Sequence, residues 1–226
     1  PEVAEGAQIR YVDAGAGGSN DGTSWTNAFT DLQDALTAAA TGDEIWVAAG
    51  TYRPTAGTDR TLSFVLKSGV ALYGGFSGAE TERGQRDAAA NVATLSGNIG
   101  DTGSASDNSC HVVHGGGADE TAILDGFTVS GGNADGAGEN ENGGGMYNDS
   151  SSRPTVTGCR FANNYAGDRG GGMYNANFSR PAVIGCVFAG NRTSSMGGGM
   201  FTGYNSASAV TGCTFSGNSA GDGGGG

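Results

Sequence analysis

The sequence has very little lysine. Lys67 is the single one in 226 residues, and Lys plus Arg number 11 against 23 Asp plus Glu, for a net charge of −12. Nucleic acid and anionic lipid both bind through basic footprints, so neither is an expected partner. Proline stands at 4 and no Gly-X-Y register runs along the chain, which excludes collagen. Apolar runs extend only a few residues, far short of the about 18 that a membrane-spanning helix needs. Cysteine also stands at 4, too few for a disulfide scaffold, and no CxxC or Cys/His cluster points to zinc.

Glycine is what the chain has in excess, at 45 residues. Inside a helix each would cost about 1 kcal/mol relative to Ala, so a helical bundle is excluded. Disorder or a β architecture rich in turns remains, and spacing decides between them. Gly143-Gly144-Gly145-Met146-Tyr147 returns as Gly170-Gly171-Gly172-Met173-Tyr174 and as Gly197-Gly198-Gly199-Met200-Phe201, a step of 27 residues each time. The same step relates Val156, Val183 and Val210; Cys159, Cys186 and Cys213; Phe161, Phe188 and Phe215; and Asn164, Asn191 and Asn218. Each unit holds three short β-prone stretches between Gly, Asn and Ser turns.

This grammar predicts an all-β fold, a three-sided parallel β-helix in which equivalent residues stack at the strand spacing of about 4.8 Å. The Met, Val, Cys and Phe columns would then fill the bore as a structural ladder. The Asn column would hydrogen-bond along one bend, and the glycines would serve corners that admit no Cβ. Helical repeats are longer and do not tolerate glycine triplets, and the Leu ladder of a leucine-rich repeat is missing.

Ahead of the repeats, residues 28–40 read as a helix. Thr30-x-x-Gln33 forms a capping box and Gly42 a stop. That helix would cap the open end of the bore before the strand Ile45-Trp46-Val47. The organisation expected is one domain over 1–226. Cap and first strand occupy 1–50, irregular coils 51–142, and regular coils 143–226. Gly224-Gly225-Gly226 restarts the unit, so the expectation includes continuation beyond 226, or an end covered by a second copy.

Tyr11-Val12-Asp13, Gly22-Thr23-Ser24-Trp25, Ile45 to Tyr52, Gly74-Gly75-Phe76 and Leu95-Ser96-Gly97 together resemble bacterial right-handed parallel β-helix proteins of the pectin-lyase-like superfamily. The Gly-Gly-Gly-Met-Tyr and Phe-x-x-Asn motifs resemble the repeats of polymorphic outer-membrane-protein (Pmp-like) passenger domains, with Gly-Gly-Gly-Met where those carry a Gly-Gly-Ala-Ile type of turn. The resemblance implies a right-handed coil and an extracellular or cell-surface protein used for adhesion, display or fibre or surface-layer assembly. It also brings an alternative, a carbohydrate-active or glycan-binding β-helix. The repeats offer no carboxylate pairing of the glycosidase kind, which weighs against catalysis.

The candidate sites are few. Asp135, Glu139 and Glu141 share a Gly-flexible acidic loop whose oxygens could take calcium, or else stand as a solvated loop, and Asp101, Asp107 and Asp125 carry less of this signal. Tyr147, Tyr174 and Phe201 follow the inward Met, so alternation places them outside. There they would form an aromatic row able to stack on polysaccharide or host glycan rings, or else pack against neighbouring turns. By the same alternation His111 and His114 point to opposite faces and offer no shared metal site. The stacked Cys159, Cys186 and Cys213 are expected as free, buried thiols, since stacking sets their Cβ atoms wider than a disulfide prefers. Asn148, Asn177 and Asn191 open glycosylation sequons.

Overall fold

The computed structural model describes residues 6–203 and 205–225; Pro1 and Gly226 lie outside them. Its short strands form four sheets, of seven, six, five and four strands, and every pairing is parallel. Each 27-residue unit contributes one strand to each sheet. In the first unit these are Met146–Asn148, Thr155–Thr157, Arg160–Ala162 and Tyr165–Ala166. The last is a two-residue strand beyond the three β-prone stretches of the sequence. The whole is mostly β and stacked in parallel, an arrangement that fits a parallel β-helix.

Strand register reproduces the sequence spacing. Met146 faces Met173 and then Met200; Val156, Val183 and Val210 align, as do Phe161, Phe188 and Phe215. Met146, Met173, Val156, Val183, Phe161 and Phe188 are fully buried. The Phe rings stack face to face at 4.9 and 4.8 Å between centroids. Cys159, Cys186 and Cys213 are free thiols, and each Sγ donates to a carbonyl of the preceding coil, those of Leu124, Val156 and Val183.

The glycine triplet has two jobs. Gly143 takes φ +63°, the left-handed region that costs an L side chain strain. Gly144 and Gly145 instead lie so close to neighbouring chain that a Cβ would strike the carbonyl oxygens of Tyr165 and Gly172.

The helix is shorter than the sequence suggests, running Leu32–Ala38, and its cap is Asp31 rather than Thr30. The Thr30 N–H and hydroxyl are already taken by Asn20 Oδ1, at 2.8 and 3.2 Å, so the Asp31 carboxylate accepts the Gln33 N–H instead. Gln33 sends its amide away to the carbonyls of Pro54 and Ser63. The other end closes without Gly42, which lies further along the turn. Lys67 Nζ donates to the carbonyls of Leu36 and Ala39, at 2.9 and 2.8 Å, placing a cation at the negative end of the helix. Leu32, Ala35 and Leu36 are buried in the same apolar cluster as Val12, Ile45 and Leu72. No helix among the described residues is long and apolar enough to cross a membrane.

One turn is locally unfavourable. Ser151, Phe178 and Asn205 occupy equivalent positions with φ of +64°, +66° and +58°. Ser and Asn tolerate this region, whereas Phe does not, and Phe178 is 57% exposed and so gains little from packing. Phe178→Asn is expected to stabilise the fold by about 1 kcal/mol. Urea unfolding would show a raised midpoint; an unchanged or lowered midpoint would contradict the strain.

Candidate functional site

The aromatic column lies on the five-stranded sheet. Its register runs Val65, His114, Tyr147, Tyr174, Phe201. The expectation of an open aromatic row needs correction. Tyr147 and Tyr174 are each only 3% exposed, and Phe201 is half-buried. Their faces are used on one another, at 5.7 Å from Tyr147 to Tyr174 and 5.8 Å from Tyr174 to Phe201. The turn before each strand also doubles back across the roots of the rings. A Cβ on Gly143, Gly170 or Gly197 would meet Tyr147, Tyr174 or Phe201 respectively. The Arg169 guanidinium lies 5.5 Å from the centre of the Phe201 ring. The packing alternative therefore describes these residues better than the open row.

The histidine expectation is also corrected. His111 and His114 lie with ring centroids 6.2 Å apart, both against Tyr147, at 4.9 and 5.4 Å. Alternation fails because the strand is only Val113–His114, so His111 precedes it, and Val112 and Val113 are both buried. His114 Nδ1 accepts the Gly116 N–H, and its Nε2 stands 3.8 Å from Asp149 Oδ1. His111 is buried, with Nδ1 3.2 Å from the Gly143 carbonyl oxygen. Burial pushes the His111 pKa down to about 4, against the pull of that carbonyl. Burial and the nearby carboxylates of Glu139 and Asp149 raise the Tyr147 phenol.

The acidic loop does not gather its carboxylates. Asp135 pairs with Arg60 and accepts from Asn133, while Glu141 accepts the Gly138 N–H. Among the described residues no group of three or more His, Cys, Asp or Glu side chains is placed to hold a metal ion.

The Asn column is bonded throughout. Asn191 Oδ1 accepts both the backbone N–H and the side-chain amide of Asn164, at 3.1 and 3.0 Å, and Asn218 Oδ1 does the same for Asn191. Sequence reasoning missed a second ladder. Asn148 Nδ2 donates to Asn175 Oδ1 at 2.8 Å, and Asn175 Nδ2 continues to Thr202 and Ser208. Its signal was the Asn that closes both Met-Tyr-Asn strands. Of the sequon asparagines, Asn148 and Asn191 are buried in these ladders and Asn177 is exposed.

A polar cluster outside the repeats was missed as well. On the outer face of the seven-stranded sheet, Arg83 and Arg86 lie over the Tyr73 ring at 4.5 and 5.2 Å, paired with Glu44 and Asp125 respectively. Every charge in it has an opposite partner, which suits a clasp better than a reactive centre. A shallow groove of about 450 Å³ beside the first strand is lined by Ala7, Gln8, Ile9, Tyr11 and Thr23, which supply no acid–base pair.

Comparison with family models, with curated proteins and with solved structures found no match to the chain.

His111 makes the packed column sensitive to acid. Its folded pKa lies below its ordinary value, so its contribution to stability is complete above about pH 6.5 and lost as the pH falls toward 4. His111→Phe keeps a ring on Tyr147 without the titration. It should shrink the stability lost between these pH values by on the order of 2 kcal/mol. Denaturant titrations of both proteins across that range check it; parallel curves would refute the assignment.

Proposed function

We propose that this chain is a non-enzymatic scaffold: a right-handed, three-sided parallel β-helix of pectin-lyase-like type with Pmp-like repeats, held outside the cell for adhesion, display or assembly. Right-handedness follows the general preference of parallel crossovers. The three faces are the seven-, six- and five-stranded sheets, with the two-residue strands of the fourth lying along a bend.

The observation that carries this reading is where the recurring residues go. Met, Val, Cys and Phe point into the stack, and Asn bonds from coil to coil. Outward positions away from the column of Tyr147, Tyr174 and Phe201 vary, as in the aligned Arg160, Val187 and Thr214. Such a repeat extends length, about 4.8 Å per coil, and leaves the surface free to vary. The acidic surface suits a soluble, displayed rod.

Antibody raised against the purified chain should label intact cells that produce the protein, and a polysaccharide screen that includes uronic-acid polymers should show no turnover. Labelling only after permeabilisation would overturn the surface assignment. Turnover abolished by replacing one carboxylate would overturn the non-enzymatic one.

A further inference from the structure

Cys159, Cys186 and Cys213 form a row whose spacing is fixed by their surroundings. Each lies between two strands that pair in register with those of the next coil, Thr155–Thr157 and Arg160–Ala162 in the first unit. Each Sγ points at a carbonyl oxygen of one column, those of Leu124, Val156 and Val183 in turn, at 3.5, 3.5 and 3.4 Å. The three residues of that column are themselves strand partners. The sulfurs therefore repeat as the backbone does, about 4.8 Å apart.

This spacing excludes two familiar uses of neighbouring thiols. A disulfide needs its sulfurs at about 2 Å, and the cysteines are free. Zinc takes four ligands around one point, whereas the row is straight. Among the described residues no three His, Cys, Asp or Glu side chains gather around an ion. A third use fits. A cation midway between two sulfurs one coil apart stands about 2.4 Å from each, and metal–thiolate bonds are about 2.3 Å long. Soft thiolates select Cu(I), a closed-shell ion satisfied by two ligands in line.

The order of ionisation suits such an ion, since the thiolate is the ligand. The Cys159 thiol beside it holds Cys186 below its ordinary pKa, against the effect of burial. Burial raises both neighbours, Cys159 and Cys213. The middle residue of the row thus gives up its proton first.

We propose that the cysteine row binds one Cu(I) ion, bridged in line between Cys186 and one neighbouring cysteine. The Cys186 thiol releases its proton to solvent as its sulfur bonds copper. The neighbour donates a sulfur lone pair and keeps its proton, and copper stays Cu(I) throughout. One positive and one negative charge cancel, so the product is neutral, as the apolar surroundings of Val156, Phe161, Val183 and Phe188 require. The ion clamps two successive coils from inside the stack.

Anaerobic addition of Cu(I) to the full chain, either folded or during refolding from urea, tests the row. Copper content, X-ray absorption and thermal melting are the readouts. One copper per chain with two sulfur neighbours is expected, and melting should rise by about 5 °C or more. Cys186→Ser should abolish uptake, because Cys159 and Cys213 are two coils apart, about 10 Å, and cannot share an ion. Cys159→Ser and Cys213→Ser should each retain it. Combining those two should abolish it, which keeps the test decisive if Cys186→Ser folds poorly. Cys110→Ser, outside the row, should change nothing. No uptake by either route overturns the proposal. So does uptake that survives Cys186→Ser. Uptake that falls equally with each cysteine replaced, the result of ordinary thiol reaction, also overturns it.

Discussion

Strands of two to four residues cannot satisfy their own backbone. In each repeat the N–H and C=O groups of a strand point along the stack, so their partners must come from the coil above and the coil below. The Met146 N–H reaches the Gly172 carbonyl and the Met173 N–H reaches that of Gly199, each at 3.0 Å. This dependence makes register the controlling variable. A slip of one residue would turn Phe161 outward and an outward residue inward. An insertion inside a strand would break pairing on both sides at once. The unvarying 27-residue step is the signature of that constraint. The ladder of Asn164, Asn191 and Asn218 extends it past the strands, into a bend where the N–H groups of Asn164 and Asn191 bond to the side-chain oxygen of the next coil.

Like-on-like stacking follows from register rather than from any preference of the side chains. Phe161, Phe188 and Phe215 lie nearly flat on one another, with interplanar angles of 7° and 5°, because their Cα atoms are paired strand to strand. Free aromatic pairs choose edge-on contacts as well as parallel ones. On the outer face of the six-stranded sheet no such pressure acts, so Arg160, Val187 and Thr214 can share one column. The same physics that makes the fold readable makes its surface uninformative about a ligand.

The interior columns were therefore legible in the sequence down to single residues, and the surface geometry was not. Alternation from the inward Met placed Tyr147 and Tyr174 outside their sheet, and they are outside it. It could not show that the preceding turn folds back over them or that His111 arrives from beyond the strand to stack on Tyr147. Thr30 looked like a cap because nothing in its neighbourhood announced Asn20 as a competitor for its N–H. Asp135 looked free for a cation because Arg60, its partner, lies 75 positions away. Each of these contacts comes from an irregular segment, where no repeat fixes which residues meet.

Those irregular coils hold together by a different means. Ahead of residue 143 the ladders are incomplete, and long-range polar ties take their place. Arg10 pairs with Asp43, Arg83 with Glu44 and Arg86 with Asp125, while Arg53 donates to the Asn98 carbonyl. Arg60 joins Asn108, Asn133 and Asp135, and the single lysine closes the helix. All of these ties span at least 28 positions of sequence. In the regular coils the pattern changes: Arg160, Arg180 and Arg192 are exposed, since register already supplies the cross-coil bonds. The six cations ahead of residue 143 thus all tie distant segments together, whereas four of the five in the repeats stand exposed. Much of the negative charge then stays on the surface uncompensated, and the lysine shortage is affordable only because the repeats need no ion pairs to stack.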